Sequence, residues 1–420
     1  MVTISTAENA LKSAYLDVVS DQINTKSSAF LSRINQTDKD VYGKEIIKAV
    51  PYGLNGAISS QGESAVLVTA SNHNFINFKS SLKNFYGSIS ISDKAMRAGQ
   101  NSKGSFVNFL NDEMESMVNS CCFNMGRMLY NDGSALLATI TSIDANSRPV
   151  FDTVKNFIEG MRIDIYSGTT LLKSNVQIAY VDRVNKQIVT TTSMGTLIAN
   201  CTVFATGSKN NELTGIKLLF DTSNDNKVLY GVDRTSYPWL YPYINSNGGS
   251  STEIDDLMIQ AAINSIEEVS GRQPDFIPVS ADVRSAYQAY LSANKRNLDI
   301  ITLEDGYKAM TYSGIPIVYE RFIDDGTMYL LNTKDFNLHQ LCDWSWLENA
   351  CGGVLVRNSN YAAYFATLVK YAELICDRPG AQGRITNIKS TYTDKIATIT
   401  NALSTFSTNY ATVNAESLTE

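Results

Sequence analysis

The chain has 420 residues, 44% of them hydrophobic and 18% charged, with a formal net charge of −7. That length holds two or three sizeable cores, and the composition is too apolar for a disordered chain. No run of about 18 apolar residues occurs, so no membrane-spanning helix is expected, and the acidic balance argues against a strongly basic nucleic-acid binder.

The first residues lack a charged region followed by an apolar run, so they do not read as a secretory signal. Ser5 and Glu8 form a capping-box pattern, and Leu11, Tyr15, Val18 and Val19 follow it. Residues 5–35 are therefore expected to be an amphipathic helix docked on something larger, with a polar break at 38–42. From Pro51 to Asp93 the chain reads as a long, polar, Asn/Ser/Gly-rich β arm. It carries an Asn55–Gly56 turn signal and alternating stretches at 74–78 and 84–92. Such an arm lacks the apolar content for a core of its own and is stable only when laid on something else.

A helix over about 105–130 follows. Phe106, Leu110, Met114, Met117, Cys121, Met125 and Met128 recur at steps of four or three and keep one apolar face. Asn131 to Gly133 supplies the C-cap. From 139 to 206 the pattern turns to strands. Alternation at 161–166, 176–181 and 187–192 and a strand at 201–205, with Gly or Asn between, predict a small barrel or sandwich inserted in a larger fold. From 232 helices and strands alternate. Thr252 is expected to cap a helix carrying Ile254, Met258, Ala261, Ser265, Ile266 and Val269. A strand at 274–279, a helix from Ser280 with Val283, Tyr287 and Leu291, and strands at 315–319, 327–331 and 337–341 complete an α/β layer domain. Residues 361–375 are expected to return to the domain of the long helix. In the last thirty residues Ile396, Ile399, Leu403, Phe406, Tyr410 and Val413 follow a heptad rhythm. That pattern fits a helix packed on a neighbouring surface, an intersubunit coiled coil or a non-helical tail.

Residues that carry chemistry are sparse. The two histidines, His73 and His339, lie in a polar arm and a strand pattern, with no triad or zinc spacing around them. Gly99 to Ser105 opens a helix as a phosphate loop does, but Lys103 precedes the second glycine, no apolar strand leads in, and a simple helix start capped by Ser102 or Ser105 explains it. Asp221, Ser223 and Asp225 have calcium-loop spacing without the central glycine, and Val232 stands where the closing Glu belongs. The pairs Asp255/Asp256 and Glu267/Glu268 are helix neighbours that do not face each other. The aromatic run from Tyr237 through Trp239 and Tyr241 to Tyr243 reads as packing between domains or subunits. The six cysteines (121, 122, 201, 342, 351 and 376) form no C-x-x-C pair and read as reduced, mostly buried thiols of a protein made in a cytoplasm. No catalytic, cofactor-binding or metal-ligating residue is assigned, and no cofactor is expected.

Several stretches, in order, carry a family likeness: 50–57 (VPYGLNGA), 82–91 (LKNFYGSISI), 108–114 (NFLNDEM), 127–134 (RMLYNDGS), 229–239 (LYGVDRTSYPW) and 343–346 (DWSW). Over about 45–390 the chain resembles the major capsid proteins of tailed bacteriophages, with the Hong Kong 97-type fold. The resemblance implies an α+β fold with an N-terminal arm (1–50), an extended β loop overlapping a neighbouring subunit (51–95), and a peripheral domain with its spine helix (96–139). It further implies a β-rich insertion domain (140–210), a return to the peripheral domain (211–231), an axial α/β domain (232–342) and the completed peripheral domain (343–390). The tail (391–420) lies outside the common core. The implied function is a virion shell subunit, not an enzyme. Its partners would be itself in pentamers and hexamers, a separate scaffolding protein, a portal, and packaged double-stranded DNA touched non-specifically, with no membrane. Only about fifty residues precede the arm, which favours a separate scaffolding protein over a fused one. No residues align to a Lys–Asn crosslink, so assembly is expected to be non-covalent. A nanocompartment shell of the same fold, and an α/β enzyme with a pocket in 232–342, are the competing readings.

Overall fold

The computed structural model describes residues 28–53, 55–63, 66, 68–69, 72–94, 103–144, 148–194, 197–223, 227–293, 300–302, 308–348, 353–357 and 362–389, with the backbone alone at 103–112, 300–302 and 308. The expected helix over 5–27, the phosphate-loop-like residues 99–102 and the heptad tail lie outside the described residues.

The centre is a five-stranded sheet built on one long strand, Ala363–Cys376. On one side it pairs antiparallel with Phe336–Trp346, and on the other with Lys83–Ser92, from Lys83↔Ala372 to Ser92↔Ala363. Asn35–Thr37 adds a parallel strand beyond Phe336–Trp346, and Val356–Arg357 completes the sheet. The long helix, Lys103–Tyr130, covers one face. Met114, Met117, Val118 and Cys121 pack there with Ile89, Ile91, Trp344 and Trp346, while Met125, Met128 and Leu129 join a second cluster nearer the molecule's middle. From Met114 onward the stripe read from sequence is the buried face. Gly87 allows the close approach, since a Cβ there would come 3.0 Å from Cys121 Sγ.

A seven-stranded mixed sheet runs in the order Tyr243–Asn245, Gly383–Ile385, Met328–Leu330, Ile277–Val279, Ile315–Tyr319, Lys308–Tyr312, Ile300–Thr302. Helices Asp256–Ser270 and Ala281–Ala293 share a core with Ile277, Val279, Ile317, Met328 and Leu330. Residues of opposite parity, Phe276, Val318, Tyr329 and Leu331, face the central core instead. That period of two ties the two sheets together.

Residues 136–205 form a third unit, an antiparallel sheet ordered Gln187–Thr190, Thr170–Asp182, Arg162–Ser167, Thr202–Ala205, Leu136–Ile143, Pro149–Phe151. Phe151 N–H donates to Lys186 O (2.9 Å), the residue before the strand Gln187–Thr190, so the two ends of the sheet approach each other and curl it toward a small barrel. Its core, including Ile140, Phe151, Phe157, Ile165, Ile178 and Val203, is drawn from its own residues. The chain leaves it through a tightly held segment. Arg127 on the long helix makes a buried, bidentate ion pair with Glu212, with Nη1 to Oε2 at 2.8 Å. Thr214 N–H donates to Glu373 at 2.7 Å. Gly215 lies against the end of the long helix, where a Cβ would sit 2.2 Å from Met128 O and 2.6 Å from Leu129 O.

Four expectations change. The helix expected to reach residue 35 is replaced over 28–34 by turns that put Phe30 in the central core, beside Phe336 (5.1 Å, edge-on), Tyr130 and Phe276. Burial among three rings outweighs local helix pattern here. The helix expected from Thr252 starts later. Asp255 is the N-cap, accepting from Met258 N–H at 2.7 Å, and the buried face is Ile259, Ala262, Ile263 and Ile266, leaving Val269 exposed. Thr252 instead bridges to Ile388, and an ionised Asp is the better cap. The arm's first strand begins at Glu45 rather than Pro51. The border expected at 342/343 falls inside the strand Phe336–Trp346, and Gly383–Ile385 belongs to the seven-stranded sheet.

Candidate assembly surface

The arm is a hairpin. Glu45–Tyr52 and Asn74–Ser81 pair antiparallel from Glu45↔Ser81 to Tyr52↔Asn74, with Val41–Tyr42 alongside at the base. The base is built into the body. Ile46, Val50 and Phe78 are buried with Val232, Leu240 and Ile375. Lys79 N–H donates to Tyr230 O (2.8 Å), and Lys48 pairs with Asp377 (2.8 Å). Tyr52 stacks on Trp239 (5.7 Å) and meets Tyr237 edge-on, so the aromatic run at 237–243 is the seat of this hairpin within the chain.

Beyond the seat the character reverses. Ile58 is 87% exposed and Val66 89%, and Phe75 and Val68 are exposed as well. These apolar side chains sit on a projecting, otherwise polar element. The strand that follows, Lys83–Ser92, spends one edge on Ala363–Cys376 and presents Asn84, Tyr86, Ser88 and Ser90 to solvent on its outer face. Between this strand, the long helix and the barrel runs a groove of about 1020 Å³, lined among others by Lys83, Tyr86, Ser120, Asn124, Met161 and Ser208. The lining is mixed polar and apolar, with Lys83, Glu159, Arg162, Glu212 and Lys370 among its charged members.

The residues weighed for chemistry are dispersed. His73 packs on Phe75 in the arm (4.9 Å). His339 is buried, its Nδ1 donates to Lys39 O (2.8 Å), and burial lowers its pKa below the ordinary value. Asp221 accepts from Ser223 N–H in a local turn, and 224–226 lie outside the described residues. Asp255 is a cap, and Glu267 accepts from Gln273 (3.1 Å). The described cysteines are all free thiols. Among the described residues no group of three or more His, Cys, Asp or Glu could hold a metal ion, and no helix is long and apolar enough to cross a membrane.

Two carboxyls that the sequence reading passed over stand out. Glu320 and Glu373 are buried with no cation beside them among the described salt bridges, and burial pushes each pKa up to about 7. Each receives main-chain N–H groups from a distant segment, Ala29 and Thr214 respectively. Glu373 lies in the apolar stretch from Tyr371 to Cys376, and a carboxylate flanked on both sides by strand-forming apolar residues is the signal that marks it.

No family model matches the sequence, and no curated protein does. Solved structures match over most of the chain. The capsid asymmetric unit of cyanophage A-1(L) aligns at a TM-score of 0.56 and 11% identity, covering 87% of this chain and 93% of that one. The capsid of an empty GTA particle aligns at 0.48 and 10% identity, covering 86% and 90%. An encapsulin complex from Synechococcus elongatus aligns at 0.43 and 10% identity, covering 88% and 90%. The first of these shows that the chain has the Hong Kong 97-type capsid fold, with mixed helices and sheets.

Proposed function

We propose that this chain is the major shell subunit of a tailed phage, assembling non-covalently into the pentamers and hexamers of an icosahedral head around double-stranded DNA. The observation that carries the reading is the arm: a hairpin with a built-in seat and an exposed apolar tip. A closed shell needs large repeated interfaces, each weak enough to correct errors, and main-chain pairing by a projecting β element supplies area without a large apolar patch. A lone monomer gains nothing from holding Ile58 and Val66 in water.

In this reading residues 51–95 reach over a neighbouring subunit, the helix at 105–130 is the spine of the peripheral domain, the seven-stranded unit stands at the capsomer axes, and the barrel is an insertion on the shell. The partners are other copies, a separate scaffolding protein and a portal, with the inner face touching DNA non-specifically. Assembly takes place in the host cytoplasm, and the protein resides in the virion.

The test is electron microscopy of the chain expressed alone and with its scaffolding partner. Closed shells or capsomer rings are expected. A uniform monomer under both conditions overturns the reading. Native particles that hold a protein cargo and no DNA assign the same fold to a nanocompartment instead.

A further inference from the structure

We propose that Glu320 is a proton-operated latch that holds the chain's N-terminal segment in the core when neutral and loosens it when ionised. The carboxyl follows the strand Ile315–Tyr319, and its own N–H is fixed to Val279 O at 3.0 Å. Its Oε1 accepts from Ser28 Oγ at 2.8 Å and from Ala29 N–H at 3.0 Å. Ser28 Oγ in turn accepts from Phe30 N–H at 3.0 Å. One oxygen thus gathers the first turn of the segment whose Phe30 fills the centre of the molecule.

Burial alone favours the neutral acid here, because the Ser28, Ala29, Phe30 and Tyr130 groups that donate to Glu320 each favour its ionised form. The group facing Glu320 from the long helix is the phenol of Tyr130, which cannot neutralise a carboxylate and whose own pKa is pushed up by burial and by the Glu320 charge. From the N-terminal segment it meets Ser28, Ala29 and Phe30, none of them charged. Among the described residues, the cations around this loop are engaged elsewhere. Arg33 lies over the Phe276 ring (5.0 Å), Arg321 over Phe123 (4.9 Å), Lys217 pairs with Asp324 (2.8 Å) and Lys155 with Asp325 (2.5 Å). A protonated carboxyl keeps Oε1 as acceptor for both donors and brings no charge into the interior. An ionised one keeps the bonds but leaves a buried charge that opening would hydrate.

The closed state holds its proton up to about pH 7, whereas an open, hydrated carboxyl releases it near the ordinary 4.5. Rising pH therefore favours opening through that interval and has no further effect above it. The loop that begins at Glu320 also carries Ile323 O and Asp325, to both of which Lys155 of the barrel donates, so loosening at Ser28 occurs beside the barrel's anchor.

The experiment is amide hydrogen exchange of the full chain from pH 5 to 8.5, read at Ala29, Leu31 and Ile34 as protection factors corrected for intrinsic rate. Protection is expected to fall up to about tenfold per pH unit between about 5 and 7 and to level off above. In Glu320→Gln the same amides are expected to be flat across the range. In Ser28→Ala, which removes a bond that favours the charged form, the levelling point is expected to move upward. This second variant decides the matter where Glu320→Gln does not fold. Flat wild-type protection, persistence of the slope in Glu320→Gln, or an unmoved levelling point in Ser28→Ala overturns the latch. The Thr214 amide, held by Glu373, separates the second carboxyl's titration from this one.

Discussion

Buried polar residues set the joints of this fold, and they differ in how their charge is met. Arg127 and Glu212 satisfy each other in a two-bonded pair at the end of the long helix, so removing either alone would strand a buried charge. Glu373 has no bonded cation among the described salt bridges, and Lys83, near enough to pull its pKa down, is outweighed by burial. It accepts from Thr214 and Leu374 N–H groups, and burial holds its pKa at about 7. A carboxyl raised in the folded state contributes stability that is complete below about pH 4.5 and is lost as pH rises to about 7. Replacing Glu373 with Gln keeps an acceptor for Thr214 and removes the charge. The variant is expected to melt higher than wild type at pH 8, by a difference on the order of 1–3 kcal/mol, and close to it at pH 4.5. Thermal unfolding at the two pH values checks this, and an equal change at both would show that the charge is already compensated. The apolar stripe from Met114 to Met128 was legible because helical period exposes it. The partner of Glu373 was not, because Thr214 lies 159 residues away and only the tertiary fold brings them together.

Among the elements, strands and helices with clean periodicity were legible. Ile315–Tyr319, the long helix and four of the six strands of the 136–205 unit lie where alternation and spacing put them, while Leu136–Ile143 and Pro149–Phe151 carry no such signal. What failed was phase and ownership. Thr252 and Asp255 are both good caps by composition, and the choice was made by which helical face meets the sheet. The hairpin shows the same limit. Its sequence reads as one polar arm from Pro51, yet Ile46, Val50 and Phe78 are core, while the described residues from Ile58 to Phe75 are exposed. An arm deletion from Ile58 to Lys79, reasonable from sequence alone, would remove buried Phe78. Replacing residues 53–73 with an Asn-Gly turn keeps the Tyr52↔Asn74 register and the seat. That variant is expected to keep its melting temperature within a few degrees while forming no closed particles. Closed particles would remove the tip from assembly, and a large loss of stability would make it part of the monomer's own core.

At the scale of the whole molecule, the two mixed units and the barrel meet around Phe30, the end of the long helix and the loop from Glu320 to Asp325. A β-rich stretch and an α/β layer could be read from the order of helical and stranded segments, while the fold class of the whole chain rested on the family resemblance. The interleaving could not, because the chain leaves the seven-stranded sheet for the five-stranded one at Phe336–Trp346 and returns to the seven-stranded one at Gly383–Ile385, an order no local pattern records. The arm is likewise visible in sequence only as a segment that lacks a core, and the structure adds where that segment is rooted and where its described residues stop being covered. The most direct measurement is a cryo-electron-microscopy map of particles assembled from the intact chain, read at residues 53–73. The tip is expected to lie across the neighbouring subunit, with Ile58 and Val66 covered by it. A tip folded back on its own subunit, or standing free in the closed shell, would contradict assembly through the arm.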